Sequence, residues 1–166
     1  CDKQTMKRVA ANDPAAMCGK GIEQYRKGDY VSAFEYYTKA AELGDASAQC
    51  NLARLYQFGE GVEKDAQKEV YHLEEAAIGG NPAARSNLGV YEWNNGSKER
   101  AVKHFIIAAK LGEDDSVKKM KQGYEVGLVS KEDFAAALRA HQAAVDASKS
   151  PQREAADEYD RKMTSP

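Results

Sequence analysis

The residues of this chain that could do chemistry are few: three histidines, three cysteines and some carboxylate pairs. His72 and His104 lie 32 residues apart, and so do Cys18 and Cys50. Stacked helices sit about 10 Å apart, so partners one structural repeat apart are separated by roughly that distance. A shared zinc needs each ligand within about 2.1 Å of the metal. A disulfide needs Cα atoms within about 7 Å. The spacing therefore predicts packing or surface histidines and two free thiols. His141 has no acidic or cysteine partner at ligand spacing. A nucleophilic cysteine needs a base and an electropositive site beside it, and the sequence offers neither Cys18 nor Cys50 such neighbours. There is no Gly-x-Ser-x-Gly elbow. Glu74-Glu75 and Asp114-Asp115 are adjacent, so on a helix their carboxylates point apart. Gly59-Glu60-Gly61-Val62 lacks the Gly-Lys-Ser/Thr and the preceding strand of a phosphate loop. It is expected to be a tight turn with Val62 packing back. The chain is thus read as no enzyme, with no cofactor and no metal.

The elements around these residues are repeats. Ala16, Gly21, Gly28, Ala33, Ala40, Ala41, Leu43 and Gly44 recur after a shift of 68 as Ala84, Gly89, Gly96, Ala101, Ala108, Ala109, Leu111 and Gly112. A third copy between them carries Ala48, Ala53, Ala76, Ala77 and Gly80. Such periods define a stacked array in which each unit needs its neighbours to bury its apolar face. Each unit reads as two antiparallel helices: 14–26 with 30–43, 46–58 with 66–79, and 82–94 with 98–111. Asp13-Pro14 and Asn81-Pro82 pair an N-cap acceptor with proline at the first helical position. Gly44, Gly80 and Gly112 supply left-handed ends. Gly21, Ala53 and Gly89 form a small-residue column, with Tyr37, Leu52, Leu55, Leu73, Leu88 and Phe105 filling the gaps.

Beyond residue 112 the pattern decays. A helix is expected over 115–128, with Val117, Met120, Tyr124 and Leu128 on one face. A second is expected over 131–148, started by Ser130 as a cap. Ser150-Pro151 would restart a polar helix to about 162, docked by Tyr159, with the chain frayed from Met163. The expected fold is all-α, a right-handed α-α superhelix. It has three helix-pair repeats, a degenerate fourth capping pair and a C-terminal helix. The divisions are 1–12 (a front cap with Met6 and Val9 at helical spacing), 13–44, 45–80, 81–112, 113–149 and 150–166.

Net charge is −2, and acidic and basic residues are interleaved. Lys118, Lys119 and Lys121 follow Glu113, Asp114 and Asp115, the pattern of a solvated helix face rather than a nucleic-acid stripe. No stretch approaches the ~18 apolar residues of a membrane span. An intracellular, cytoplasmic setting is expected. A partner, if any, is a protein or peptide. It should lie along the first helices, which line the concave side of such arrays. The inward positions by column are Cys18, Ile22 and Tyr25, then Cys50, Arg54, Gln57 and Phe58, then Ser86, Val90 and Trp93. Aromatics with one arginine are the composition of a binding core. Trp93, the only tryptophan, is the candidate anchor.

The middle unit carries Ala48, Asn51-Leu52-Ala53, Tyr56, Gly59, Gly61-Val62, Asp65, Lys68, Glu75-Ala76-Ala77 and Gly80. On these residues the chain resembles the Sel-one-like repeat family, a relative of tetratricopeptide repeats. Lys39-Ala40-Ala41 and Gly44 in the first unit agree, while Gly28-Asp29-Tyr30 with Ala33 is closer to the tetratricopeptide form. Glu69 stands where the family prefers alanine, units one and three lack Gly-x-Gly-Val, and paired half-cystines within each repeat are absent. The resemblance implies a non-enzymatic interaction scaffold. A narrower resemblance, through Met6-Lys7-Arg8-Val9, Asn12-Asp13-Pro14 and the segment from Phe134 to Arg153, is to repeat proteins of diatoms and related algae. There the repeats often follow a cysteine-rich zinc finger. Cys1 would be the remnant of such a finger, and the chain the substrate-binding part of a RING-like ubiquitin ligase. The alternative makes Cys1 the lipidated first residue of a bacterial lipoprotein.

Overall fold

A computed structural model describes the backbone over residues 3–164 and side chains over 5–148, Ala10 excepted. Every regular element among the described residues is a helix: α1 (Lys3–Ala10), α2 (Pro14–Arg26), α3 (Tyr30–Glu42), α4 (Ala46–Phe58), α5 (Ala66–Ile78), α6 (Pro82–Asn94), α7 (Lys98–Lys110), α8 (Asp114–Glu125) and α9 (Lys131–Thr164). The chain forms two compact units, one to Leu88 and one from Gly89. Within them α2 packs on α3, α4 on α5, and α7 on α8 and α9.

The junctions between repeats use one hydrogen-bond pattern three times. At the end of α3 the Asp45 N–H donates to Ala40 O (3.0 Å) and the Gly44 N–H to Ala41 O (2.9 Å). Asn81 and Gly80 bond Ala76 and Ala77 in the same way, as Glu113 and Gly112 bond Ala108 and Ala109. This satisfies orphan carbonyls through a residue in the left-handed region, and Gly44 holds φ at 86°. The closing residue then starts the next helix. Asp45 accepts from Ala48 N at 2.7 Å, Asn81 from Ala84 N at 3.0 Å and Glu113 from Ser116 N at 2.6 Å. Each such cap stabilises by about 1 kcal/mol.

The unit to Leu88 buries Ala33, Tyr37, Ala40, Ala48, Leu52 and Leu55 in one cluster, and Ala53, Leu73, Ala76, Ala84 and Leu88 in another. Val9 of α1 and Val62 pack against the first. Gly21 is small because the Tyr37 ring lies on it; a methyl there would sit 2.5 Å from a ring carbon. The unit from Gly89 repeats the device with Gly89 and Phe105, and buries Ala101, Val102, Met120, Val129 and Ala137. In the repeat-two turn, Gly61 (φ 72°) lies where a Cβ would come 2.6 Å from the Tyr30 carbonyl carbon.

Two expectations past residue 112 are corrected. α8 stops at Glu125 rather than 128. Gly127 takes φ 77°, and Leu128 N–H bonds Gly123 O at 2.8 Å, which closes the helix. Leu128 still packs on the core from outside the helix. The break expected at Ser150-Pro151 is absent, for α9 runs unbroken through 34 residues. Proline removes one amide donor and crowds one carbonyl, a cost of about 3 kcal/mol that a continuing helix can absorb. Ser130 starts α9 as expected: its Oγ accepts from Asp133 N at 3.0 Å and donates to Asp133 Oδ2 at 2.9 Å. The docking of Tyr159 lies outside the described side chains. No helix among the described residues is long and apolar enough to cross a membrane.

Candidate protein-binding site

The first helices α2 and α4 present Tyr25 and Arg54 to one another. The Arg54 guanidinium carbon lies 3.9 Å from the Tyr25 ring centroid. The Tyr25 hydroxyl donates to Glu60 Oε2 at 2.9 Å, which ties the repeat-two turn to α2. Burial, and then that carboxylate, raise the Tyr25 phenol above its usual range. The Arg54 Nε is buried without a hydrogen-bond partner, and among the described residues no hydrogen bond or ion pair reaches this guanidinium.

Arg54 opens into a cleft of about 360 Å³ lined also by Cys50, Asn51, Gln57, Glu69, Leu73 and Asn87. The polar lining is mostly carboxamide, able to donate and accept at once. Burial raises the Glu69 carboxyl, partly offset by a hydrogen bond from Gln57. Burial also raises the Cys50 thiol.

The ten positions expected along the first helices therefore divide. Cys50, Arg54 and Gln57 share the cleft, and Tyr25 supports Arg54. Ile22 packs partly buried on the core. Phe58 is exposed but lines no part of the cleft. Cys18 (4 % exposed) and Ser86 (3 %) are buried and cannot meet a partner. One column thus holds buried Cys18 and Ser86 together with Cys50, which reaches the cleft. In the unit from Gly89, Val90 and Trp93 line a smaller cleft of about 110 Å³ with Asn94, Phe105, Lys119 and Gln122. Trp93 also packs on the core, 6.5 Å from Phe105 between ring centroids, with Lys98 Nζ 5.4 Å from its own centroid.

Asn51, Glu69, Leu73 and Asn87 were not foreseen. A signal existed: Asn51 and Asn87 occupy equivalent positions 36 residues apart, like Cys50 and Ser86. Glu69 was visible only as a departure from the alanine usual there.

The chemistry-bearing residues are occupied structurally. Cys18 forms no disulfide; its Sγ accepts from Asn51 Nδ2 at 3.9 Å, and its thiol is pushed up to about 12 by burial and then by Asp45. His72 Nδ1 lies 2.6 Å from Gln49 Oε1, and its ring stacks on Tyr56. His141 does have an acidic neighbour, from outside its own helix: its Nε2 lies 3.1 Å from Asp114 Oδ1, and its Nδ1 3.1 Å from Ala109 O. No group of three metal-ligating side chains occurs among the described residues. Cys1, on which the zinc-finger and lipoprotein readings rested, lies outside them.

Paired helices, small-residue columns and shared junction caps define a helical-repeat protein. The Sel1 repeat model matches residues 9–45, 46–81 and 82–113, and the chain belongs to the Sel1 repeat family. Proteins of this family are generally non-catalytic interaction scaffolds. A solved Sel1 repeat protein from Oxalobacter formigenes is 30% identical, with TM-score 0.70 over 87% of this chain and 63% of that one. Mouse DAP3-binding cell death enhancer 1 is 27% identical over 81% of this chain and 34% of its own length. The Helicobacter pylori protein called "Putative beta-lactamase HcpC" is 38% identical over 36% of this chain and 21% of its own. The chain thus spans about a third or less of these two relatives.

Proposed function

We propose that the chain is a non-enzymatic adaptor that binds an extended protein segment along its first helices, with Arg54 as the principal contact. The observation that carries this reading is the unspent guanidinium. Arg54 is held flat by Tyr25, yet its donors meet no acceptor among the described residues. A buried donor left unpaired costs about 1–3 kcal/mol. The terminal amino groups of the same guanidinium, at the cleft, can donate to a carbonyl or carboxylate of a partner. Asn51, Gln57 and Asn87 beside it match the alternating donors and acceptors of an extended backbone. Trp93, half-buried in its own cleft, is a second contact within the unit from Gly89. The repeats 13–44, 45–80 and 81–112 act as the structural modules, with 1–12 and 113–149 closing them and 150–166 following. Two thiols outside any disulfide, Cys18 and Cys50, fit a reducing, intracellular setting.

The test is a pull-down from native cell extract with residues 1–166 as bait, beside Arg54→Ala and Trp93→Ala as separate variants. A partner kept by wild type and lost by folded Arg54→Ala supports the cleft. A partner kept by all three places the interaction elsewhere.

A further inference from the structure

The unit to Leu88 contains a second cleft, of about 400 Å³, between α3, α4 and α5. It shares no lining residue with the Arg54 cleft. Its aromatic wall is a chain of contacting rings. Phe34 meets Tyr56 edge-on at 5.9 Å, His72 stacks on Tyr56 at 5.4 Å, and Tyr71 meets His72 edge-on at 5.1 Å. Tyr71 is 55 % exposed at the mouth of the cleft. Glu42 and Glu75 complete the rim, both exposed, and neither forms an ion pair among the described residues. No lysine or arginine lines this cleft.

Tyr56 also lines another cleft, where a lysine is present. There Lys68 places its Nζ 5.2 Å from the Tyr56 ring centroid and 3.8 Å from Asp65 Oδ2. In that cleft the protein supplies a cation of its own, balanced by a carboxylate. The Phe34–Tyr56–Tyr71 cleft provides rings and two carboxylates without a cation.

We propose that the Phe34–Tyr56–Tyr71 cleft binds a lysine or arginine side chain of a partner polypeptide, its charge met by Glu42 and Glu75 and its stem by the rings. Aromatic faces attract cations, and both side chains carry long apolar stems able to lie along them. His72 does not supply the missing charge: burial, and then Lys68, hold its imidazole below the usual range, so it is neutral near pH 7. This site is independent of the Arg54 cleft, which asks for an acceptor rather than a cation.

The experiment is an NMR titration of the 166-residue chain with three N-acetylated pentapeptide amides. Each has two glycines on either side of a central lysine, arginine or norleucine. The expected result is saturable shifts at Gln49, Tyr71 and His72 with the two cationic peptides, and none with norleucine. The affinity should fall at least several-fold in Glu42→Gln/Glu75→Gln and with added salt. Both positions are exposed, so the double variant keeps its melting temperature. Equal shifts with norleucine, affinity unchanged in the double variant, or no saturable shift up to the solubility limit would each overturn the assignment. Shifts confined to the Asn51–Asn87 surface would overturn it while leaving the Arg54 reading intact.

Discussion

Tyr25 holds Arg54 from one repeat away, ring against guanidinium at 3.9 Å, while its hydroxyl holds Glu60 at 2.9 Å. The two functions of this tyrosine separate by mutation. Tyr25→Phe keeps the stack and loses the hydrogen bond. It should destabilise by about 0.5–1.5 kcal/mol and leave partner capture intact. Tyr25→Ala loses both and should weaken capture as Arg54→Ala does. Urea unfolding with pull-down measures the pair, and capture lost already in Tyr25→Phe contradicts the assignment of the ring.

Two glycines of α2 should respond oppositely to alanine. A methyl at Gly21 meets the Tyr37 ring, so Gly21→Ala should destabilise by about 1–3 kcal/mol. A methyl at Gly19 would meet no group from outside its own turn of helix, so Gly19→Ala should stabilise by about 0.5–1 kcal/mol. Gly89→Ala should behave like Gly21→Ala because of Phe105. Thermal melts of the three variants decide the matter, and a common sign for Gly19 and Gly21 is the failing outcome.

Removing a junction cap should be felt at one helix start. Asp45→Ala deletes the acceptor for Ala48 N, a loss of about 1 kcal/mol. Asp45→Asn keeps an acceptor and should recover most of it. Equal losses in both variants would show that charge, not capping, is what matters at Asp45.

Alkaline pH should weaken the unit to Leu88. The Cys18 thiol rises from 9.0 to about 12 in the folded chain, and burial is the largest cause. Tyr37 rises from 10.0 to about 12, again chiefly by burial. Below the unfolded values both groups are neutral in either state, so stability there is full. As pH rises past 9.0 the unfolded chain ionises first, binds fewer protons than the folded one, and is favoured. Stability should therefore decline from pH 9.0 towards about 12, and Cys18→Ala should shallow the early part of that decline. Urea midpoints across this range measure it. A flat profile in the wild type would show that Cys18 ionises as readily folded as unfolded.

Much of this protein was readable because its chemistry is local. Asp13, Asn81 and Gly44 mark helix boundaries within a few residues, and α2, α4 and α6 run as spacing predicts. Gly127 carries the same stop signal, but the apolar face through Leu128 masked it. Pro151 marked a break that the backbone does not take, because one missing amide is a weak signal against a whole helix. The cleft was legible only by column. Column position found Arg54 and Gln57 but also chose buried Cys18, since equivalent positions differ in burial from one repeat to the next. Contacts such as His141 with Asp114 join residues 27 apart with no periodic relation, and nothing in the sequence announces them.

The junction residues Asp45, Asn81 and Glu113 each finish one helix and begin the next within a few neighbouring residues. Every hydrogen bond at the first joint runs between Ala40 and Gln49. A gene cut and rejoined at any of these points would carry a complete seam with it. Lengthening such a protein requires no new interface to be invented at the join, only another copy of the same segment.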